Sequence, residues 1–135
     1  MKLQVGVKIF LKNKEGKYLL VKRNLEKYQN IVGDWDIVGG RIDPGTDLMA
    51  NLAREVKEET ELTIVGTPKL IHAQDIFVGD EKHVVRLSYM GEAEGEPVLD
   101  TTENIAYEWL SLSELKEKDD LDIYVREIAD AELIS

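Results

Sequence analysis

The sequence predicts one α/β domain of the α+β kind, a mixed β-sheet held between helices. Three observations predict it. Leu3, Val5, Val7, Ile9 and Leu11 alternate with Gln4, Gly6, Lys8 and Phe10, the period of a half-buried strand. Apolar residues then recur at helical spacing in Leu48, Leu52 and Val56, and again from Ile123 to Leu133. Strand-like runs fill the interval between the two helical patterns. With 135 residues, 43% of them hydrophobic, the chain is expected to form a single domain over residues 1–135 with its own core.

The elements follow in order. Asn13-Lys14-Glu15-Gly16 is a turn signal between the first strand and a returning one over Lys17–Arg23, so the two are expected to form a hairpin. Residues 24–34 turn polar, with Asn30 and Gly33 as breakers, and read as a loop. Trp35 to Gly40 is a short strand running into the first helix. Leu62–Ile64 and Leu70–Val78 are strand material broken around Gly66-Thr67-Pro68, and a turn at Gly79–Lys82 leads to a strand over His83–Met90. Residues 91–97 are acidic and glycine-containing, a surface turn or strand edge. Ile105–Leu110 is the last strand, Ser111–Leu115 a short helix or turn, and Asp122–Leu133 a C-terminal helix.

Composition removes several function classes. There is no cysteine, which excludes disulfides, thiolate catalysis and cysteine-ligated zinc. The formal charge of -10 argues against a nucleic-acid polymer as partner, because that surface wants a basic patch. No apolar run approaches the ~20 residues of a membrane span, and the N-terminal residues lack the order of a signal peptide, so a cytoplasmic location is expected.

Chemistry concentrates between Gly39 and Leu62. A Gly-Gly pair and a Pro-Gly turn lead into a helix carrying Arg54-Glu55-Val56-Lys57-Glu58-Glu59. At helical spacing Glu55, Glu58 and Glu59 share one strip, beside the apolar strip of Leu48, Leu52 and Val56 with Met49 and Ala53 behind it. Like charges so placed destabilise a bare helix by a few tenths of a kcal/mol per pair. A cation between the carboxylates relieves that cost, and Mg²⁺ takes oxygen ligands and commonly arrives with substrate phosphates.

The wider spacing is specific. Gly40, five residues, Thr46, seven residues, then residues 54–62 resemble the Nudix box, Gly-x5-Glu-x7-Arg-Glu-U-x-Glu-Glu-x-Gly-U with U aliphatic. Gly40, Arg54, Glu55, Val56, Glu58, Glu59 and Leu62 match; Thr46 stands where the family has Glu, and Glu61 where it has Gly. Thr46 cannot supply the family's charged partner for Arg54, but its hydroxyl can cap the helix while Asp47 complements the dipole. Glu61 at a left-handed cap costs roughly 1 kcal/mol. Beyond the box, the first strands, Arg23, the run Trp109-Leu110-Ser111-Leu112 and Glu103 six residues before that tryptophan resemble small MutT-like members over nearly the whole length.

The resemblance implies a Nudix-like α/β/α sandwich and a Mg²⁺ site, with Mn²⁺ a possible substitute, held by Glu55, Glu58 and Glu59. It adds the backbone carbonyl of Gly40, with Gly39 as the neighbouring choice, and Glu103 for a second ion or for water activation. Arg54 would orient a catalytic carboxylate, Arg23 would contact base or phosphate, and the general base would be Glu55, Glu58 or Glu103. Trp35, Phe77 and Tyr124 are candidates for stacking on a base, though core packing is the commoner use of aromatics, whereas His72 and His83 receive no role.

The implied reaction is hydrolysis of a diphosphate linkage in a nucleoside diphosphate derivative, here a (deoxy)nucleoside triphosphate giving monophosphate and pyrophosphate. ADP-ribose hydrolases of the family often carry a proline about 15 residues past the box, where this chain has Phe77-Val78. Dinucleoside polyphosphate hydrolases often carry a tyrosine slightly later, where it has Gly79-Asp80. Those substrates and nucleotide sugars are the alternatives, and a non-catalytic nucleotide-sensing module is another. The expected partner is a small-molecule nucleotide, and the expected state a monomer or homodimer.

Overall fold

The computed structural model describes residues 1–28 and 33–135. Asn30, expected as a loop breaker, lies outside the described residues. The chain runs β1 (Lys2–Lys12), β2 (Tyr18–Arg23), β3 (Trp35–Asp36), β4 (Val38–Arg41), α1 (Leu48–Thr60), β5 (Ile64–Val78), β6 (Lys82–Ala93), β7 (Asn104–Leu110), α2 (Leu112–Lys116) and α3 (Ile123–Asp130). The mixed sheet between helices is present as expected.

The sheet has two wings that meet at the first turn. β1 pairs parallel with β6 from Lys2↔Lys82 to Lys12↔Glu92, and antiparallel with β4. β2 pairs antiparallel with β7 and with β3. Between β1 and β2 themselves the register is Lys12↔Tyr18. The expected hairpin therefore exists at its turn, where Asn13 Oδ1 accepts from Glu15 N and Lys17 N at 3.0 Å each. Beyond it the strands part to opposite wings, and the opening between them is where the site forms.

β1 is not half-buried. Val7, Ile9 and Leu11 enter a core with Leu52 and Val56 of α1, while Phe10, on the other face, joins Leu115, Val125 and Ile128 in a second core under α2 and α3. Helices cover both faces, so alternation along β1 separates two interiors rather than an interior from water. Lys8 shares the Phe10 face, and its ammonium reaches buried Asp36 at 3.0 Å.

Other differences are local. The stretch expected as one strand from Trp35 to Gly40 divides at Ile37, because β3 pairs with β2 and β4 with β1. The break expected at Gly66-Thr67-Pro68 is an irregularity inside one long β5, whose register against β6 shifts between Val65 and Lys69. α3 is shorter than the Asp122–Leu133 pattern: Asp122 is its N-cap, accepting from Tyr124 N at 2.9 Å and Val125 N at 3.1 Å. An isolated bridge joins Trp35 to Leu121, and Asp122 N donates to Trp35 O at 2.8 Å, which fixes the start of α3 beside β3.

Candidate functional site

α1 begins one residue later than expected. Asp47, not Thr46, caps it, its carboxylate accepting from Ala50 N at 2.7 Å. An aspartate at this position satisfies a free helix N–H and also adds charge at the positive end. At the other end Glu61 takes the left-handed conformation (φ 59°) that the family's glycine adopts freely. Its N–H bonds to Lys57 O at 2.9 Å, and Thr60 Oγ1, which donates to Val56 O, accepts from Leu62 N at 3.1 Å.

Leu52 and Val56, both fully buried, set the rotation of α1 against β1 and β4. That rotation divides the three glutamates. Glu55 and Glu59 turn inward against β4, whereas Glu58 stays largely in water and accepts from Arg54 Nη1 at 3.1 Å. Among the described residues no three acidic or histidine side chains converge closely enough to hold one ion. The carboxylates expected together are thus two inward and one outward.

Two glycines receive the inward pair. Gly39, at φ 146°, lies so close to β1 that a Cβ would stand 2.0 Å from Val7 O. Its N–H donates to Glu59 Oε2 at 3.1 Å, and Asn104 Nδ2 donates to Glu59 Oε1 at 3.2 Å. On Gly40 a Cβ would meet Glu55 Oε2 at 2.9 Å. Burial raises the Glu55 carboxyl above its ordinary range, with Arg54 opposing and Glu58 adding to the rise. Burial likewise pushes Glu59 up to about 7, against the pull of Lys8 and with Glu55 adding to the rise. Two half-buried carboxylates whose burial outweighs the pull of Arg54 and Lys8, backed onto bare glycine backbone, fit a hard divalent cation with oxygen ligands.

Arg54 is held by more than its own helix. Nη2 donates to Asp43 Oδ2 at 3.2 Å and Asn51 Oδ1 at 3.1 Å, and lies 3.3 Å from Glu55 Oε1. Asp43 therefore supplies the carboxylate that Thr46 lacks. Asn51, fully buried in α1, anchors that loop by accepting from Asp43 N at 3.1 Å and donating to Asp47 O at 2.9 Å. Sequence reasoning missed both; an asparagine on the apolar side of a helix was the available signal.

Glu103 stands in the turn before β7, near enough to Glu55 to raise its carboxyl. Its own carboxylate accepts from Lys27 Nζ and the Tyr28 hydroxyl. Burial would raise it, but these two donors hold it below the ordinary range. Burial and this contact push the Tyr28 phenol up to about 12.

A cavity of about 720 Å³ opens beside this edge, bounded by Gly40 and Arg41 of β4, Arg23, Tyr28, the β5 end from Ile76 to Gly79, and the start of α3 at Asp122–Tyr124. Lys8, Arg23 and Arg86 line it, and behind them fully buried Asp36 pairs with Arg86 Nη2 at 3.0 Å, Lys8 Nζ at 3.0 Å and the Arg23 guanidinium. Burial works to raise Asp36, yet Arg86, Lys8 and Arg23 outweigh it and hold it well below the ordinary range. Arg86 also reaches Asp122 at 3.4 Å. Arg23 thus lines the cavity as an ion-paired wall rather than a free cation. Of the aromatic candidates, Phe77 and Tyr124 line the cavity, whereas Trp35 packs on the second core with Lys118 Nζ 4.1 Å from its ring. His72 and His83 bond to Glu127 and Asp75 at 3.1 and 2.7 Å, outside the carboxylate site.

Residues 2–130 match the NUDIX domain family. The chain belongs to the NUDIX domain family. Its relatives include MutT-like proteins. A "Putative 8-oxo-dGTP diphosphatase" of Bacillus subtilis (strain 168) is 32% identical over 106 residues, 78% of this chain and 65% of that protein. The chain thus spans less than two thirds of that relative's length. The MutT protein from Methanosarcina mazei Go1 superposes with a TM-score of 0.79 at 28% identity, covering 96% of this chain and 91% of the other. The MutT NUDIX hydrolase from Burkholderia pseudomallei gives 0.81 at 22% identity over 96% and 98%, a likeness of fold. Among the described residues of this Nudix domain no helix is long and apolar enough to cross a membrane.

Proposed function

We propose that this chain is a Mg²⁺-dependent Nudix pyrophosphohydrolase that cleaves a (deoxy)nucleoside triphosphate to monophosphate and pyrophosphate, Mn²⁺ substituting. The observation that carries the reading is the pairing of Glu55 and Glu59 against Gly39–Gly40 at the rim of a nucleoside-sized cavity. The B. subtilis relative's description, an 8-oxo-dGTP diphosphatase, supports a triphosphate with an oxidised purine among the substrates to test first.

Glu55, Glu59 and the Gly40 carbonyl would hold the ion, with Glu58 and Glu103 completing an oxygen set. A cation held there would supply charge neutralisation of phosphate oxygens and a lowered pKa for a bound water. Glu58, solvent-facing and hydrogen-bonded to Arg54, would take the proton from water. Arg54 fixes that carboxylate while Asp43 and Asn51 fix Arg54. Arg23 borders the cavity where a nucleotide would lie, and Phe77 and Tyr124 offer aromatic faces to a base. The test is pyrophosphate release across normal and oxidised nucleoside triphosphates, ADP-ribose, dinucleoside polyphosphates and nucleotide sugars. Pyrophosphate from a triphosphate, lost in Glu58→Gln, supports the proposal. Cleavage of the other classes alone would refute the substrate, and binding without cleavage the enzyme.

A further inference from the structure

We infer that Lys27 and Tyr28 are positioning residues for Glu103, keeping its carboxylate from a metal ion until nucleotide phosphates displace them. The inference rests on the proposed reading of Glu103 as a carboxylate serving the cleavage site.

The backbone around Glu103 is fixed on both sides. Asn24 N donates to Glu103 O at 2.9 Å and Asn24 Nδ2 to Thr101 O at 3.0 Å, while Glu103 N donates to Asp100 O at 3.0 Å. The turn that carries Lys27 and Tyr28 is built on the same asparagine, whose carbonyl accepts from both of their N–H groups at 3.1 and 3.0 Å. The two turns are one unit, so only side chains are left to rearrange. Asn104, the next residue, touches Glu59, which sets Glu103 at the edge of the carboxylate pair.

Both oxygens of Glu103 are engaged, Oε1 by the Lys27 ammonium and Oε2 by the Tyr28 hydroxyl. A divalent ion at Oε1 would meet that ammonium at contact, a like-charge clash in a partly dry recess. Tyr28 meanwhile borders two spaces: the large cavity, and a small recess that it shares with Glu59 and Glu103. Its ring lies 5.1 Å from the Arg23 guanidinium. Phosphate oxygens entering from the cavity therefore reach Tyr28 first, with the exposed Lys27 ammonium 5.5 Å from its ring, and they accept from the same donors that Glu103 now uses. Ammonium and phenol pass to phosphate, and the carboxylate is freed for the ion arriving with it.

The test is Mn²⁺ binding to nucleotide-free protein, followed by electron paramagnetic resonance of free Mn²⁺. Lys27→Met and Tyr28→Phe should each tighten Mn²⁺ binding by about tenfold, and adding Glu103→Gln should cancel the gain. Lys27 is exposed, so Lys27→Met keeps the fold even if Tyr28→Phe does not. Unchanged or weaker Mn²⁺ binding in Lys27→Met, or a gain that survives Glu103→Gln, overturns the inference. Because no nucleotide is present, this outcome is independent of which substrate is hydrolysed.

Discussion

Asp43 Oδ2 lies 3.2 Å from Arg54 Nη2, so a loop aspartate three residues before Thr46 provides the negative charge that the box position itself lacks. The pair is partly exposed, with side-chain exposures of 37% and 71%, and exposed pairs contribute only ~0–1 kcal/mol to stability. Its importance is geometric. Asp43→Asn should leave the melting temperature within a few degrees of wild type, while Arg54→Gln should lower kcat by about 10- to 100-fold through misplacement of Glu58. Steady-state kinetics beside thermal melts separates the two effects.

Glu61 stores strain at the end of α1. A left-handed residue with a Cβ costs roughly 1 kcal/mol, which glycine avoids. Glu61→Gly should therefore raise stability by up to about 1 kcal/mol, less whatever glycine adds to the freedom of the unfolded chain. Urea unfolding at constant m-value is the check. A loss of stability would mean that the Lys57 and Thr60 bonds depend on the glutamate.

Asp36 ties Lys8, Arg23 and Arg86 together under the cavity. Removing one partner of a buried ionic cluster costs about 3–5 kcal/mol, so Asp36→Asn should be strongly destabilised. The folded state holds the Asp36 carboxyl below its unfolded value of about 3.9. Its contribution is thus fully present above that value and is lost as pH falls through the lower folded one. Wild-type stability should decline below about pH 4, and the decline should be shallower in Asp36→Asn. Equilibrium unfolding between pH 2 and 6 measures both slopes.

Much of this was legible in the sequence. Gly40, Arg54, Glu55, Glu58 and Glu59 stand at fixed spacing, and a helix period gathers the last four at the C-terminal end of α1, with Gly40 on the adjoining β4. The two-core environment of β1 was not legible, because alternation looks the same whether the second face meets water or Phe10's neighbours under α3. Nor was the division of the glutamates, which depends on how Leu52 and Val56 seat the helix. Asp36, Lys8 and Arg86 lie far apart in the chain and meet through β1–β6 pairing and the proximity of β3, so no local pattern announces them.

Mg²⁺ should stabilise the folded protein if the inward pair holds it. At a concentration 100 times its dissociation constant, the gain is ~2.7 kcal/mol by linkage. Melting curves with Mg²⁺ and with a chelator should show that gain in wild type, and Glu55→Gln should erase it.

The most direct measurement is the product formed from a nucleoside triphosphate with Mg²⁺, resolved as pyrophosphate or orthophosphate. The account predicts pyrophosphate and monophosphate in equal amounts, abolished by chelator and by Glu58→Gln. Orthophosphate with a nucleoside diphosphate, or turnover unaffected by either treatment, would contradict it.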